Sequence, residues 1–217
     1  MRMENYQIKI ELLTETLFGN GEAIPGYIDV DIQTDDFGFP FLKAKTLKGL
    51  IRENAELLCK NLHLDMEKVK ELFGDEETAG ILRFSDAALS PEVQKVLKNY
   101  LNEISQNENV TIEKEDIKRA ITTEYSFTRI ENGVQAAHSL RTVRMLNKGM
   151  IFWADITASE ALSDTSRCLL GCATGLLKHV GTLKSKGKGC VRAELLVSGK
   201  QITSSCFDNL GRTEDVR

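Results

Sequence analysis

The sequence lacks the features that mark membrane, secreted and zinc-binding proteins. No apolar run approaches the roughly 18 residues that a membrane-spanning helix needs. The first residues, MRMENYQIKIELL, alternate polar and apolar side chains instead of forming the apolar block of a signal peptide. The five cysteines include no Cys-x-x-Cys pair, so zinc is not indicated, and free thiols suit a reducing compartment. We therefore expect a cytoplasmic protein with no membrane partner and no organic cofactor.

A nucleotide-hydrolase signature is also missing from the most basic segment, HVGTLKSKGKGCVRAEL (residues 179–195), which carries Lys184, Lys186 and Lys188. Five residues separate Gly181 from Gly187, no Ser or Thr follows the lysine, and the segment links a predicted helix to a predicted strand. The phosphate-binding P-loop needs a different spacing and the reverse order of elements. What remains is either a solvated turn or a flexible loop that brings lysines and backbone N–H groups to a phosphate chain.

Histidine is scarce, which bears on metal-independent ribonuclease chemistry because such enzymes often use this residue. The three histidines, His63, His138 and His179, have no partner at catalytic spacing. A histidine-based ribonuclease is therefore not favoured.

Charge is unevenly distributed, although the formal net charge is only −4. Residues 1–42 contain eight acidic and two basic side chains, whereas residues 138–192 contain nine basic and three acidic ones. This pattern suits a protein that packs head to tail with copies of itself, or that binds a polyanion on one side. Chance sorting of ordinary surface charge is the alternative.

Hydrophobic periodicity predicts an α+β fold. The elements run strand, helix, strand, strand, helix, strand, over residues 6–13, 46–61, 80–87, 149–157, 161–179 and 190–197, with Thr46 as the N-cap of the first helix. This βαββαβ order is typical of a ferredoxin-like (RRM-like) core, although the aromatic motifs of an ordinary RRM are absent. We expect a single domain over residues 1–217, with insertions over about 88–148 that form a thumb hairpin and a helical lobe. YIDVDIQ (27–33) is predicted to be a further strand, with Asp29 and Asp31 on one face.

Four stretches resemble, in their order and spacing, the RAMP superfamily of CRISPR systems. They are GYIDVDIQTDDFGFPFLKAKTLKGLIRE, LFGDEETAGILRFSDAALS, FTRIENGVQAAHSLRTVRM, and the final helix with its glycine-rich loop and GCVR. Together they span most of the chain and are most similar to the repeated backbone subunit of type III effector complexes.

The resemblance implies RNA partners and a set of contacts to them. Copies would stack head to tail along a guide CRISPR RNA, beside other CRISPR effector subunits, and a thumb between Arg129 and Arg141 would wedge into the pairing of the guide with a target single-stranded RNA. Cations at a helix N-terminus are a physically sensible phosphate site. The RNA-binding residues implied are Lys45, Thr46, Lys48, Arg52, Arg129, Arg141, Arg144, Lys184, Lys186 and Lys188.

Asp29 matches the position of the target-cleaving aspartate in that family. A carboxylate there would orient the target 2′-hydroxyl or bind Mg²⁺ or Mn²⁺, with Asp31 as a possible second carboxylate. The products would be a 2′,3′-cyclic phosphate and a 5′-hydroxyl. Three functions stay open: a metal-dependent endoribonuclease subunit, a non-catalytic RNA-binding scaffold, and, less favoured, a guide-processing endoribonuclease.

Overall fold

The fold is a mixed α+β arrangement of one large antiparallel sheet, smaller hairpins and helices. The structure, a computed structural model, describes residues 5–107, 112–137 and 139–212. The strands are β1 (Tyr6–Leu12), β2 (Phe41–Leu42), β3 (Leu82–Phe84), β4 (Ala87–Ala88), β5 (Thr122–Phe127), β6 (Ile130–Glu131), β7 (Val134–Gln135), β8 (Arg141–Leu146), β9 (Ile151–Ala158), β10 (Val191–Val197) and β11 (Lys200–Gln201). The helices are α1 (Ala44–Asn61), α2 (Glu67–Phe73), α3 (Pro91–Asn107), α4 (Lys114–Ile121), α5 (Asp164–Gly175) and α6 (Thr203–Arg212).

Strand β1 lies at the centre of the large sheet, as its alternating sequence predicts. The sheet runs in the order β11-β10-β1-β9-β4-β2, with β3 also paired to β9, and every pairing is antiparallel. Ile10 lies opposite Phe152 on one side and Ala193 on the other, and all three side chains are buried. Three of the four strands expected from the periodicity are therefore confirmed as β1, β9 and β10, and the fourth, expected over residues 80–87, is divided into β3 and β4.

Helices α1 and α5 pack against each other, and α5 also packs on β10. Two boundaries differ from the prediction. Helix α1 begins at Ala44, whose backbone N–H donates to the Asp86 carboxylate at 2.7 Å, so Thr46 lies in the first turn and is not the N-cap. Helix α5 is shorter than predicted and begins after Ser163, whose hydroxyl accepts a hydrogen bond from the backbone N–H of Ser166.

The prediction of a strand over residues 27–33 is wrong, because the segment forms isolated bridges and no regular strand. The segment makes isolated bridges to three different partners: Ile28 to Ile24, Val30 to Val143, and Ile32 to Gly19. Because the partner changes at each step, no regular ladder develops. The bounds of α2, α4 and α6 were not predicted, although α4 lies within the insertion over about 88–148 for which a helical lobe was expected.

A long hairpin of β5 and β8 projects the segment predicted as the thumb. Phe127 pairs with Arg141 at its outer end, where the short β6–β7 hairpin follows. The turn at Asn132 and Gly133 has positive φ at both residues, the conformation that an Asn-Gly pair favours in a two-residue hairpin. Val134 is 67% exposed, so the tip presents apolar surface.

Within the described residues, no helix combines the length and the apolar character needed to span a bilayer.

Candidate nucleic-acid interface

A cleft of about 520 Å³ lies where the 27–30 segment, the β5–β8 hairpin and the basic loop meet. Four residues predicted for the site line it together: Asp29, Arg129, Arg141 and Lys186. The remaining lining residues are Val30, Phe127, Thr128, Ser139, Val143 and Leu183. The cleft thus combines one carboxylate, three cationic side chains and an apolar floor, drawn from segments far apart in the sequence.

Asp29 is fixed to the start of β8 by its side chain and its backbone. Its Oδ1 accepts from Arg141 Nη1 at 3.0 Å and its Oδ2 accepts from the backbone N–H of Thr142 at 2.7 Å. Its own N–H donates to the Thr142 carbonyl at 2.7 Å. The Thr142 N–H and, to a smaller extent, the Arg141 guanidinium hold the pKa of the Asp29 carboxyl below its ordinary value. Asp29 is therefore ionised at neutral pH and is a weak base.

Asp31, two residues further on, belongs to a buried ion cluster and not to the cleft. Its Oδ2 lies 2.5 Å from Lys118 Nζ of α4, and its Oδ1 lies 3.3 Å from Arg144 Nη1 of β8. Arg144 Nη2 also lies 2.5 Å from Glu115 Oε1. Both Asp31 and Arg144 are buried. The prediction that Asp29 and Asp31 share one face is therefore wrong. The Asp31 carboxylate points into the protein, where it pairs with Lys118 and Arg144.

Arg144 was predicted to contact RNA, yet its guanidinium faces the protein interior. Burial disfavours its charged form, but the hydrogen bond to Glu115 and the charges of Asp31 and Glu115 outweigh that effect, and the pKa of Arg144 lies above its ordinary value. In this geometry the side chain fixes β8 to α4 and to the 27–33 segment, and it presents no donor to solvent.

The basic loop lies against the hairpin of the same chain. Residues Lys184–Lys186 form a 3₁₀ turn. Lys186 Nζ sits 4.1 Å from the ring centroid of Phe127, and Lys188 Nζ sits 4.1 Å from that of Tyr125. Lys188 is also 3.0 Å from Glu15, whose pKa lies below its ordinary value because its carboxylate accepts a bond from its own backbone N–H and one from Lys188. Of the three lysines, Lys184 and Lys186 are exposed and Lys188 is half-buried.

Two glycines of this loop are required by packing. Gly181 and Gly189 both have positive φ, and a Cβ on them would lie 2.3 Å from the Leu17 carbonyl oxygen and 2.2 Å from the Val180 carbonyl oxygen, respectively. Gly187 faces open space. The glycine content of the loop therefore reflects close packing of backbone on backbone at its base as well as freedom at its tip.

The predicted site at the start of α1 is separate from the Asp29 cleft. Lys45 and Thr46 are exposed, and Thr46 lines a smaller cleft of about 220 Å³ with Gly181 and Thr182. Two other residues are engaged within the chain. Lys48 donates to the Leu82 carbonyl at 3.3 Å, and burial together with the charges of Arg83 and Arg52 lowers its pKa. Arg52 pairs with Glu56 at 2.8 Å.

Among the residues that the structure describes, four acidic side chains of the N-terminal segment pair with basic side chains of the C-terminal segment. The cross-segment ion pairs are Glu11 with Arg192, Glu15 with Lys188, Asp29 with Arg141, and Asp31 with Arg144. The charge pattern therefore has an intramolecular explanation and does not by itself require a second copy.

Sequence reasoning missed Tyr125 and Phe127, whose signal was the aromatic alternation in EYSFTR. Of the histidines, His63 lies in a left-handed turn after α1, His179 forms a bridge to Cys190, and His138 lies outside the described residues. Across residues 5–107, 112–137 and 139–212, no group of three or more His, Cys, Asp or Glu side chains could hold a metal ion.

Comparison with known proteins identifies the family from the sequence and the fold. The sequence pattern of the RAMP superfamily matches residues 9–192, most of the chain, so this protein belongs to the RAMP superfamily. The superfamily expected from the four sequence stretches is thus confirmed. A relative from Pyrococcus furiosus, named CRISPR system Cmr endoribonuclease Cmr4, is 32% identical over 93 residues, which are 40% of this chain and 30% of that protein. The match therefore spans less than a third of the relative's length.

Solved structures share the fold at low sequence identity. A chain of the type III-B Cmr-beta complex bound to cognate target RNA superimposes with a TM-score of 0.61 at 17% identity, covering 88% of this chain and 96% of that one. A crystal structure of oligomeric Cmr4 from Pyrococcus furiosus gives a TM-score of 0.52 at 16% identity, covering 92% and 100%. The architecture is thus that of subunits found in type III-B Cmr complexes.

Proposed function

We propose that this chain is a subunit of a type III CRISPR effector complex that binds RNA along the cleft and cleaves a target RNA strand beside Asp29. The observation that carries the proposal is the cleft itself, where Asp29 meets Arg129, Arg141 and Lys186. Three cations suit a phosphate backbone, and one carboxylate among them suits a reaction at a single phosphodiester. The Cmr4 relative, which carries the name endoribonuclease, supports the same chemistry.

The reaction that this geometry supports is transfer within the RNA strand. The target 2′-oxygen bonds to the adjacent phosphorus and the bond from phosphorus to the 5′-oxygen breaks, leaving a 2′,3′-cyclic phosphate and a 5′-hydroxyl. Because its pKa is lowered, Asp29 is better placed to accept a hydrogen bond from the 2′-hydroxyl and orient it than to remove the proton fully. The displaced proton passes to solvent, and the 5′-oxygen takes one from solvent. Arg141 lies beside Asp29 and can stabilise the charge that develops on the phosphate.

A divalent ion at this site would be bound jointly by the protein and the RNA. Asp29 is the one carboxylate among the described residues that line the cleft, and both of its oxygens already accept hydrogen bonds. The residues do not form a metal site by themselves. Mg²⁺ or Mn²⁺ would be held by Asp29 together with RNA phosphates, as such ions often are in phosphoryl-transfer sites, and would supply charge to the reacting phosphate.

We further propose that copies associate head to tail on a guide CRISPR RNA, with other effector subunits, in the cytoplasm. The oligomeric crystal form of the Cmr4 relative supports self-association. The exposed Lys45 and Thr46, and the apolar tip of the β6–β7 hairpin, are then the surfaces for guide phosphates and for the guide–target duplex. The order β10-β1-β9-β3, with α1 and α5 packed together, supports a ferredoxin-like core.

A non-catalytic scaffold is the second candidate, and one observation favours it. Both oxygens of Asp29 are used to fix the 27–30 segment to β8. If that were the whole role of this carboxylate, the chain would bind RNA and leave it intact.

Cleavage in the assembled complex separates the two candidates. The substrate is a labelled RNA complementary to the guide, with Mg²⁺ or Mn²⁺ added. We expect wild type to cut and Asp29→Ala to lose on the order of 100-fold or more in rate with unchanged RNA affinity, because cleavage needs local alignment and binding uses many contacts. Asp36→Ala, which removes an exposed acid outside the cleft, is the matched control. Wild type that never cuts identifies the scaffold, and equal cutting by Asp29→Ala removes Asp29 from the mechanism.

A further inference from the structure

The rings of Tyr125 and Phe127 form a short aromatic surface on the hairpin. They stand two residues apart on β5 and therefore on the same face. Their centroids are 6.5 Å apart and their planes differ by 18°, so the rings are nearly parallel. Both side chains are half-buried rather than enclosed in the core.

Each ring is covered by one lysine of the basic loop. Lys186 Nζ and Lys188 Nζ lie at the same distance, 4.1 Å, from the centroids of Phe127 and Tyr125. The two lysines are two residues apart in the sequence, as are the two aromatic residues, so each lysine covers a different ring: Lys186 covers Phe127 and Lys188 covers Tyr125. An ammonium over a partly exposed ring is a weak contact, and a stacked nucleobase gains more on the same ring.

Phe127 lies beside both an apolar surface, which suits a nucleobase, and cationic side chains, which suit a phosphate. Phe127, Val143 and Leu183 give the cleft its apolar floor, while Arg129 and Lys186 supply cations at the same cleft. A base needs a flat apolar surface, and the phosphate attached to it needs a cation nearby.

Position also links this surface to Asp29. Phe127 is the direct cross-strand partner of Arg141, and Arg141 donates to Asp29 at 3.0 Å. A base resting on Phe127 would therefore hold its ribose and phosphate within the same cleft as the carboxylate.

We infer that Phe127, continued by Tyr125, is a stacking site for unpaired RNA bases, and that Lys186 and Lys188 leave the rings for RNA phosphates when RNA binds. The inference rests on the proposed RNA-binding function and deepens it. The loop lysines and the aromatic rings act as one unit: each lysine covers a ring in the free protein and becomes a phosphate contact in the complex. Lys186, which is exposed, moves more readily than Lys188, whose ion pair with Glu15 must also break.

Fluorescence of 2-aminopurine tests the stacking site without any need for cleavage. The full chain is mixed with single-stranded oligouridylate that carries 2-aminopurine at one position at a time. Stacking on Phe127 quenches the probe in wild type. Phe127→Leu keeps the apolar volume and removes the ring, so we expect the quenching to disappear and the affinity to fall about 5-fold or more. Phe127→Tyr retains a ring and keeps the quenching. Phe207→Leu, on the exposed face of α6, is the matched control and leaves both readouts unchanged.

The transfer of the lysine is tested by salt dependence in the same assay. Lys186→Ala uncovers the ring and removes one phosphate contact, so quenching persists while the log–log slope of affinity against salt flattens by about 0.7. An unchanged slope overturns the transfer, and unchanged quenching in Phe127→Leu with normal binding overturns the stacking site. Wild type that binds no RNA at all overturns the RNA-binding proposal and this inference together.

Discussion

Asp29 and Asp31 come from the same short segment, and an arginine of β8 binds each of them, yet their surroundings are opposite. The side chains of Asp29 and Arg141 are 36% and 69% exposed, whereas those of Asp31 and Arg144 are 6% and 0% exposed. A solvated pair can exchange partners, because water and ions compensate each charge when it opens. A buried pair cannot, because each charge would be left without compensation. Depth in the fold, and not residue type, separates the carboxylate available for chemistry from the one committed to structure.

The two carboxylates therefore have different roles on one segment: Asp31 holds the segment in place, and Asp29 lies at the cleft. Asp31 joins the segment to α4 through Lys118 and to β8 through Arg144. Val30 reinforces that junction, since its carbonyl accepts from the Arg144 backbone N–H at 3.2 Å. These contacts fix the segment that contains Asp29, whose side chain lines the cleft. This division predicts that breaking the buried pair and breaking the exposed pair have different consequences.

The largest expected effect is on stability and comes from Asp31→Ala. Removal of this carboxylate leaves Lys118 buried without its counter-charge and leaves Arg144 without one of its two close carboxylates, so the free energy of unfolding should fall by about 3–5 kcal/mol. Urea denaturation followed by the fluorescence of Trp153, the single tryptophan, measures it. Asp29→Ala is the control and should leave the midpoint close to that of wild type. Equal midpoints for the two variants would remove the distinction drawn between them.

A smaller loss is expected when the whole cluster is replaced instead of broken. The triple variant Asp31→Leu, Lys118→Met and Arg144→Met leaves no uncompensated charge at these three positions, and its apolar side chains are of similar length. Glu115 keeps its own access to solvent, with its side chain 33% exposed. We expect unfolding free energy within about 2 kcal/mol of wild type by the same urea measurement. A triple variant as unstable as Asp31→Ala would show that the cluster stabilises through its geometry and not through charge balance.

The strands of the core could be predicted from the sequence because their apolar residues alternate locally, as Ile8, Ile10 and Leu12 do in β1. The start of α1 could not, because the group that accepts its first N–H is Asp86, 42 residues away. The burial and pairing of Asp31 could not be predicted either, since its partners Lys118 and Arg144 lie 87 and 113 residues from it in the sequence. Local pattern identified Asp29 as a candidate, but only the folded chain separates it from Asp31.

The smallest expected effect concerns the charge on Asp29 itself. Its pKa lies below the ordinary value, chiefly through the Thr142 backbone N–H and next through the Arg141 guanidinium. Arg141→Ala should therefore raise the pKa of Asp29 only part of the way back, because the Thr142 contact remains. A lowered folded pKa means that the stability contributed by this ionised group is fully present above its unfolded pKa and is lost as pH falls through the folded value. Carboxyl NMR titration of Asp29 in wild type and Arg141→Ala measures the change, with Lys200→Ala as an exposed control far along the chain. A return to the full ordinary value would show that Arg141, and not the Thr142 backbone N–H, accounts for the lowered pKa of Asp29.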